Sequence, residues 1–284
     1  MKIVRYQAHT EPFFRYLNPL LFISTFWNNR LLILNFAKRE VSARYKGSIL
    51  GILWSFINPL VLLTIYTYVF SVIFKAKWTV SESENKVEFA LTLFCGLIAF
   101  NIFSELINRA PTLIVQNQNY VKKVVFPLEI LPISVLIGNL VHFAMSFLVL
   151  VIASLIFYGN ISLTILLFPL VLLPLLLLSL GTAFILASLG VFIRDIAYTI
   201  GILINMLFYL TPIFYPVSAV PDSFKQVMLW NPLSTILESL RMVVLYNQVP
   251  NLMQLLIMIV ASFIFVIFAH AWFMFTKRGF ADVV

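Results

Sequence analysis

Residues Lys38-Arg39-Glu40-Val41-Ser42-Ala43-Arg44-Tyr45-Lys46-Gly47-Ser48 form a charged, helix-patterned segment, and no charged residue follows from Gly47 to Phe74. At about 100° per residue, Asn35, Lys38, Arg39, Ser42 and Lys46 share one narrow helical face, and Leu34, Ala37, Val41 and Tyr45 form the opposing stripe. Glu40 and Arg44 flank that stripe as an i,i+4 pair in the favourable order. The segment therefore reads as a basic amphipathic helix at a membrane surface, joined directly to a membrane span. The run behind it is long enough to cross, since about 20 residues at ~1.5 Å rise cover a ~30 Å hydrocarbon core. Its lack of charge fits the cost of a charge at the bilayer centre, about 2.5–3.5 kcal/mol on insertion scales.

Composition extends this reading to the whole chain. Of its 284 residues, 62% are hydrophobic and 11% charged, where a soluble domain carries about 25% charged residues. The sequence predicts an all-α, polytopic membrane protein with a single membrane domain. Residues 1–48 make a cytoplasmic N-terminal segment with the interface helix, and residues 49–284 a six-span bundle. The net charge of +8 does not point to nucleic acid, because nothing charged lies between Glu129 and Arg194. The N-terminus, with Lys2, Arg5, His9 and Glu11, lacks the apolar core of a cleaved signal peptide. The apolar block 17–26 is too short to span and is expected to lie at the interface or pack on the spans. Cys95 is the lone cysteine, so no intrachain disulfide forms.

Charge-free runs place six spans near residues 49–74, 89–107, 131–157, 163–191, 197–214 and 252–275, with Tyr158-Gly159-Asn160 as the turn that divides the longest run. An even number of spans puts both termini on one side. That side collects Lys2, Arg5, Arg15, Arg30, Lys38, Arg39, Arg44, Lys46, Arg109, Lys122, Lys123, Arg194, Lys277 and Arg278, and the other keeps Lys75, Lys77, Lys86, Lys225 and Arg241. Retention of positive charge inside makes the first side cytoplasmic. The tract from Tyr215 to Asn251 is too apolar for a solvated loop and, with Pro216, Pro221, Pro232 and Pro250, too interrupted for a straight span. Short re-entrant helices fit it. Asn231-Pro232 reads as an N-cap with proline at the first helical position, starting a helix toward Val244. Asn-Pro-Leu also occurs at Asn18 and Asn58 without flanking similarity, and Pro59 is expected to kink the first span.

Read from the residues alone, the basic face of the 38–46 helix has two readings: anchoring on anionic lipid head groups, at about 1 kcal/mol per nearby cation, or a protein docking surface. Glu105 is expected to pair with Arg109 one turn on, and Glu238 with Arg241. His142 and His270 are expected to hydrogen-bond between helices. No metal-binding or catalytic constellation is visible, with His9, His142 and His270 far apart and Cys95 distant from all of them. A membrane transferase would need clustered carboxylates or histidines, and an ion-coupled carrier ionisable groups at mid-span.

The run Lys38 to Leu60, which includes Gly47-Ser48-Ile49-Leu50-Gly51-Ile52-Leu53-Trp54-Ser55-Phe56-Ile57-Asn58-Pro59, resembles the start of ABC-2 type permease subunits that export polysaccharides, as in O-antigen and teichoic acid exporters. The resemblance continues through Tyr120-Val121-Lys122-Lys123-Val124-Val125-Phe126-Pro127 and Trp230-Asn231-Pro232-Leu233. It implies a homodimer of this chain with two copies of a separate ATP-binding subunit, in a Gram-negative inner membrane, moving a glycan carried on a polyprenyl diphosphate lipid. ATP and Mg would sit on the partner, in agreement with the missing Gly-x-x-x-x-Gly-Lys-Ser/Thr loop here. The family's ATPase contacts map to Lys38, Arg39, Glu40, Ser42, Arg44 and Lys46, to Gln116, Tyr120, Lys122 and Lys123, and to Arg194 and Asp195. Sugars present apolar faces to aromatic rings and hydroxyls to polar tips, which makes Tyr66, Tyr68, Phe70, Tyr198, Phe208, Tyr209, Phe214 and Tyr215 the conduit candidates. Arg30 inside and Arg241 outside are the candidates for the lipid head group. The same resemblance admits teichoic acid, capsule or a small-molecule drug as cargo.

Overall fold

Long apolar segments in a bilayer must satisfy every backbone donor internally, and helices do so here. A computed structural model describes residues 13–73, 78, 86–123, 126–159 and 163–284. The cations Lys2, Arg5, Lys75 and Lys77 lie outside these residues, as does the side chain of Lys123. Among the described residues all regular structure is helical: α1 (Pro19–Asn28), α2 (Arg30–Tyr45), α3 (Trp54–Tyr66, continued by a π-helical stretch Thr67–Ile73), α4 (Lys86–Gln116), α5 (Gln118–Lys123), α6 (Ile130–Tyr158), α7 (Phe168–Phe192), α8 (Ile196–Leu210), α9 (Asp222–Trp230), α10 (Pro232–Val244), α11 (Leu252–Thr276) and α12 (Phe280–Val283).

Among the described residues five segments are long and apolar enough to cross a membrane: Gly51–Phe70, Val87–Gln116, Ile130–Tyr158, Leu163–Phe192 and Leu252–Val283. The expected fifth span near 197–214 is shorter than predicted. Helix α8 has 15 residues, about 22 Å at ~1.5 Å per residue. It stops because Pro212 disfavours helical geometry at Thr211, which turns to φ −92, ψ 137.

Helix α4 is the axis of the bundle, with 83% of its most apolar window buried against 11% for Gly51–Phe70. It packs on α6, α7, α8 and α10, and α7 packs on α11. Helix α1 does not span. Asn18 caps it by accepting from the Leu20 amide, and Phe22 and Phe26 set their rings against His270 of α11. His270 thus sits in an aromatic cage with Phe184, and among the described residues neither ring nitrogen has a hydrogen-bond partner. The expected interhelical bond is absent there because the cage offers only ring faces. Helices α9 and α10 lie at the end of the bundle opposite α2 and α5. Asn231 caps α10 as expected, accepting from the Leu233 amide at 3.0 Å, and its own amide donates to Thr211 Oγ1 at 3.0 Å.

Candidate substrate cavity and docking face

Helix α2 ends where Gly47 adopts φ +85, a left-handed turn that glycine takes without a Cβ penalty. Its apolar stripe turns inward: Ile33 and Ala37 are buried, with Val41 and Tyr45 half-buried beyond them, and the helix packs on α6. Asn35, Lys38, Arg39, Ser42 and Lys46 all face outward and exposed. Leu34, assigned to the stripe, is exposed.

Glu40 and Arg44 leave the outward set. They do not pair with each other; Glu40 accepts from Arg109 Nη2 at 2.6 Å, and Arg44 Nη2 donates to Glu105 at 2.8 Å. The expected local pairs, Glu40 with Arg44 and Glu105 with Arg109, are exchanged for two crossed pairs that lash α2 to α4. The reason is burial. On one helix such pairs are worth only ~0.2–0.5 kcal/mol, whereas side chains that are 16–41% exposed between helices lose much of the solvent screening.

Helix α5 meets α2 through Arg39, whose Nη1 donates to Tyr120 Oη at 3.2 Å and whose guanidinium lies 4.7 Å over the Phe36 ring. Tyr120 in turn stacks on Phe126 at 4.6 Å. Gln116, Lys122, Arg194 and Asp195 are exposed at the same end, where Lys277 closes α11 onto buried Glu129 at 2.7 Å. Two predicted contact segments, 38–46 and 116–123, are therefore one continuous surface. Arg30 lies apart from it, exposed at the rim of an apolar groove of about 410 Å³ lined by Phe22, Trp27, Ile133 and Ile137, with its Nη1 donating to Trp27 O.

Behind α2 opens a cavity of about 510 Å³ between α3, α4, α6 and α8. Tyr66 and Phe208, two of the conduit candidates, line it together with Trp54, Phe94, Asn58, Asn101 and Ser146. Its inner end is made by Arg44, Tyr45, Ser55, Glu105 and His142. Tyr45 Oη lies 2.7 Å from Ser55 Oγ and 2.8 Å from His142 Nδ1, so α2 is tied to α3 and α6 at one hydroxyl. Phe70 and Phe214 stand behind this wall, packed on Phe89 and on Phe208. Tyr68, Tyr198 and Tyr209 do not reach the cavity and are 59%, 82% and 68% exposed. Tyr215 donates to Tyr209 O at 2.6 Å, and burial pushes its pKa up.

Arg241 is not at a surface where a head group could meet it. It is completely buried, with Nε on Thr92 O, Nη1 on Pro212 O and Glu238, and Nη2 on Ile213 O. Its guanidinium lies 4.3 Å over the Trp78 ring. A Cβ at Gly96 would stand 2.6 Å from Nη2, so only glycine leaves room for it there. The expected Glu238 pair forms at 3.1 Å as part of this larger cradle, which pins the loop after α8 to α4 and α10. On α9, Asp222 is held below the usual carboxylate range by its hydrogen bond from Lys225.

Sequence reasoning missed the polar side of the cavity. Asn58 and Asn101 carried a usable signal, since an amide inside an apolar span is expensive unless it faces a partner or a wet cavity. A scan of family models matches residues 32–245 to the ABC-2 type transporter model. The chain belongs to the ABC-2 type transporter family. Curated relatives of this ABC-2 protein include the O-antigen export system permease protein RfbA of Myxococcus xanthus, 31% identical over 70% of this chain and 74% of that one. A Klebsiella pneumoniae RfbA is 27% identical over the same shares. The polysialic acid transport protein KpsM of Escherichia coli is 27% identical over 68% of this chain and 73% of its own. Family and apolar helices together make this ABC-2 chain a multi-pass membrane protein.

Proposed function

We propose that this chain is the membrane-spanning permease subunit of an ATP-driven exporter of polysaccharide in a bacterial inner membrane, with the glycan carried on a polyprenyl diphosphate lipid. The relatives named for O-antigen export and polysialic acid transport support the cargo class. The observation that carries the reading is the two-sidedness of α2. Its exposed face holds Lys38, Arg39, Ser42 and Lys46, and its inner face supplies Arg44 and Tyr45 to the cavity wall. A motor docked outside therefore acts on the wall of the conduit through one helix.

In this reading two copies of the chain pair with two ATP-binding subunits, which bind ATP and Mg and perform all hydrolysis. Pairing is supported by α3, whose span is 11% buried within one copy and which forms a cavity wall. The domain is single, residues 1–48 leading into a bundle of six crossings, with α8 as a short fifth crossing and α9–α10 re-entrant from the outer side. Both termini are cytoplasmic, which puts α2, α5 and the turn at Arg194 and Asp195 on the motor's side. Aromatic rings at Tyr66, Trp54 and Phe208 stack against sugar faces, and Asn58, Asn101 and Ser146 exchange hydrogen bonds with hydroxyls. Capsular polysaccharide is the second cargo reading, favoured by the KpsM relative. The test is deletion of the gene in its host. Surface polysaccharide should disappear while its lipid-linked precursor accumulates on the cytoplasmic leaflet; unchanged surface polysaccharide overturns the reading.

A further inference from the structure

We propose that the end of the bundle opposite α2 carries a saccharide-binding cleft over α10, which takes a neutral sugar unit of the glycan once it has left the conduit. The inference rests on the polysaccharide reading above and names a site separate from the cavity behind α2. Two hollows adjoin α10. One, of about 200 Å³, lies against α9 and the start of α11, and the other, of about 610 Å³, lies against residues 216–218 and 245–248. They share Val217, Glu238 and Met242, so they form one cleft of a size suited to a small ligand. Helix α10 turns a stripe toward it: Thr235, Glu238, Ser239 and Met242, at i, i+3, i+4 and i+7, are lining residues. Its other face, with Leu233, Ile236, Leu237 and Leu240, is buried. Polar side chains in so apolar a tract are costly unless they face a partner or a wet cavity.

Ser234 is the observation that points to a ligand. It is 6% exposed and lines the smaller hollow, and its Oγ is buried with no hydrogen-bond partner among the described residues. Ser239 donates back to Thr235 O at 2.8 Å. The residue four before Ser234 is Trp230, ahead of the start of α10 at Pro232, so the helix gives Ser234 no such carbonyl. A buried hydroxyl left open asks for a partner. Glu238 stands where the two hollows meet. It accepts from Arg241 Nη1 through Oε2 at 3.1 Å, and a carboxylate has about four acceptor positions, so capacity remains on a side chain 32% exposed. Arg241 is fully buried and lines neither hollow, so the cleft meets the carboxylate and not the guanidinium. A phosphate or an acidic sugar is disfavoured there. The fitting group donates to Glu238 and pairs with Ser234 beside apolar Val217 and Met242. Sugar hydroxyls both donate and accept, and the C–H face of the ring covers the apolar side chains. A unit held here keeps the emerged chain from slipping back between strokes.

The test uses the chain purified with its ATP-binding subunit in nanodiscs, with tritium-labelled oligosaccharides cut from the host's surface polysaccharide as probe and oligosialic acid as competitor. Binding should be saturable, and oligosialic acid should displace the probe at least ten-fold less well than unlabelled probe does. Ser234→Ala should weaken binding several-fold, yet buried Cys95 should react with a maleimide dye no sooner on heating, because an unpartnered hydroxyl adds nothing to the fold. Ser239→Trp, which fills the cleft from a half-buried position, should weaken binding at least ten-fold. Glu238→Gln should narrow the gap between probe and oligosialic acid. Wild-type affinity in Ser234→Ala and Ser239→Trp overturns the cleft, as does equal displacement by oligosialic acid. Weakening in Ser234→Ala that comes only with early exposure of Cys95 also overturns it, since the hydroxyl is then structural. No probe binding by a complex that still exports polysaccharide overturns the cleft and leaves the cargo reading intact, whereas a complex that neither binds nor exports removes both.

Discussion

Replacing Arg241 with methionine keeps the length and apolar contact of the side chain and removes its four hydrogen bonds. Thr92 lies inside α4, where its carbonyl also accepts the helix's own i→i+4 bond. Pro212 and Ile213 lie outside any helix, and their buried carbonyls are orphaned at about 1–3 kcal/mol each. The lost contact with the Trp78 ring adds up to about 2 kcal/mol when desolvated, and Glu238, 32% exposed, rehydrates at little cost. Hydrogen bonds within membrane bundles average nearer ~0.6 kcal/mol, so four of them set a floor of about 2 kcal/mol. The expected loss is therefore about 2–8 kcal/mol, or roughly 4–30 °C in Tm at ~2–4 °C per kcal/mol for chains of this size. Cys95 is buried one residue from Gly96 and is the chain's lone thiol, which makes its reaction with a maleimide dye the assay. Arg241→Met should unmask Cys95 at a lower temperature, with Arg241→Lys between it and wild type, because an ammonium cannot reproduce the planar fork. A shift below about 3 °C, with Cys95 still protected, would refute the role of Arg241 as the tie between α4, α10 and the loop after α8.

A double-mutant cycle on Glu40 and Arg109 should give a coupling of about 0.5–3 kcal/mol in thermal unfolding, while the same-helix cycle on Glu40 and Arg44 should give less than ~0.5 kcal/mol. Charge reversal of Lys38 and Arg39 should weaken capture of the ATP-binding subunit at least ten-fold in a pull-down, and raising salt should mimic it, since exposed charges are screened; undiminished capture would leave the basic face to lipid. Asn101→Phe, which fills the cavity beside Tyr66, should cut export in cells several-fold while the complex still assembles on gel filtration; wild-type export would place the conduit elsewhere.

The helices were legible because charge cannot be tolerated at mid-bilayer, so the gaps between charges drew the spans. Local punctuation was legible too, and Asn231 caps α10 where the Asn-Pro pair predicts. What stayed hidden is what depends on the rotation of one helix against another. Spacing put Glu40 beside Arg44 and Glu105 beside Arg109 on their own helices, but once α2 docks on α6 within side-chain reach of α4 the part-buried crossed partners win. Arg241 read as an outer cation because its acceptors are backbone carbonyls from Thr92, Pro212 and Ile213, which no side-chain pattern reveals. The short α8 follows from Pro212, a stop signal hidden in an otherwise apolar run. Of the candidate docking residues, Lys38, Arg39, Ser42 and Lys46 are exposed, and Glu40 and Arg44 are drawn into ion pairs with Arg109 and Glu105. Of the candidate conduit aromatics, Tyr66 and Phe208 line the cavity, and its amides and hydroxyls were missed because each stands alone in an apolar run.

Transport across a sealed bilayer by purified components tests the whole scheme most directly. The chain and its ATP-binding subunit are reconstituted into proteoliposomes with lipid-linked glycan on the outer leaflet, the ATP-binding subunit facing outward, and glycan protected from an added glycosidase is measured with time. Protection should rise only when ATP, Mg, this chain and the ATP-binding subunit are all present, and it should fall sharply when Lys38 and Arg39 are reversed in charge. Equal protection without the ATP-binding subunit, or none with every component present and hydrolysis running, would contradict it.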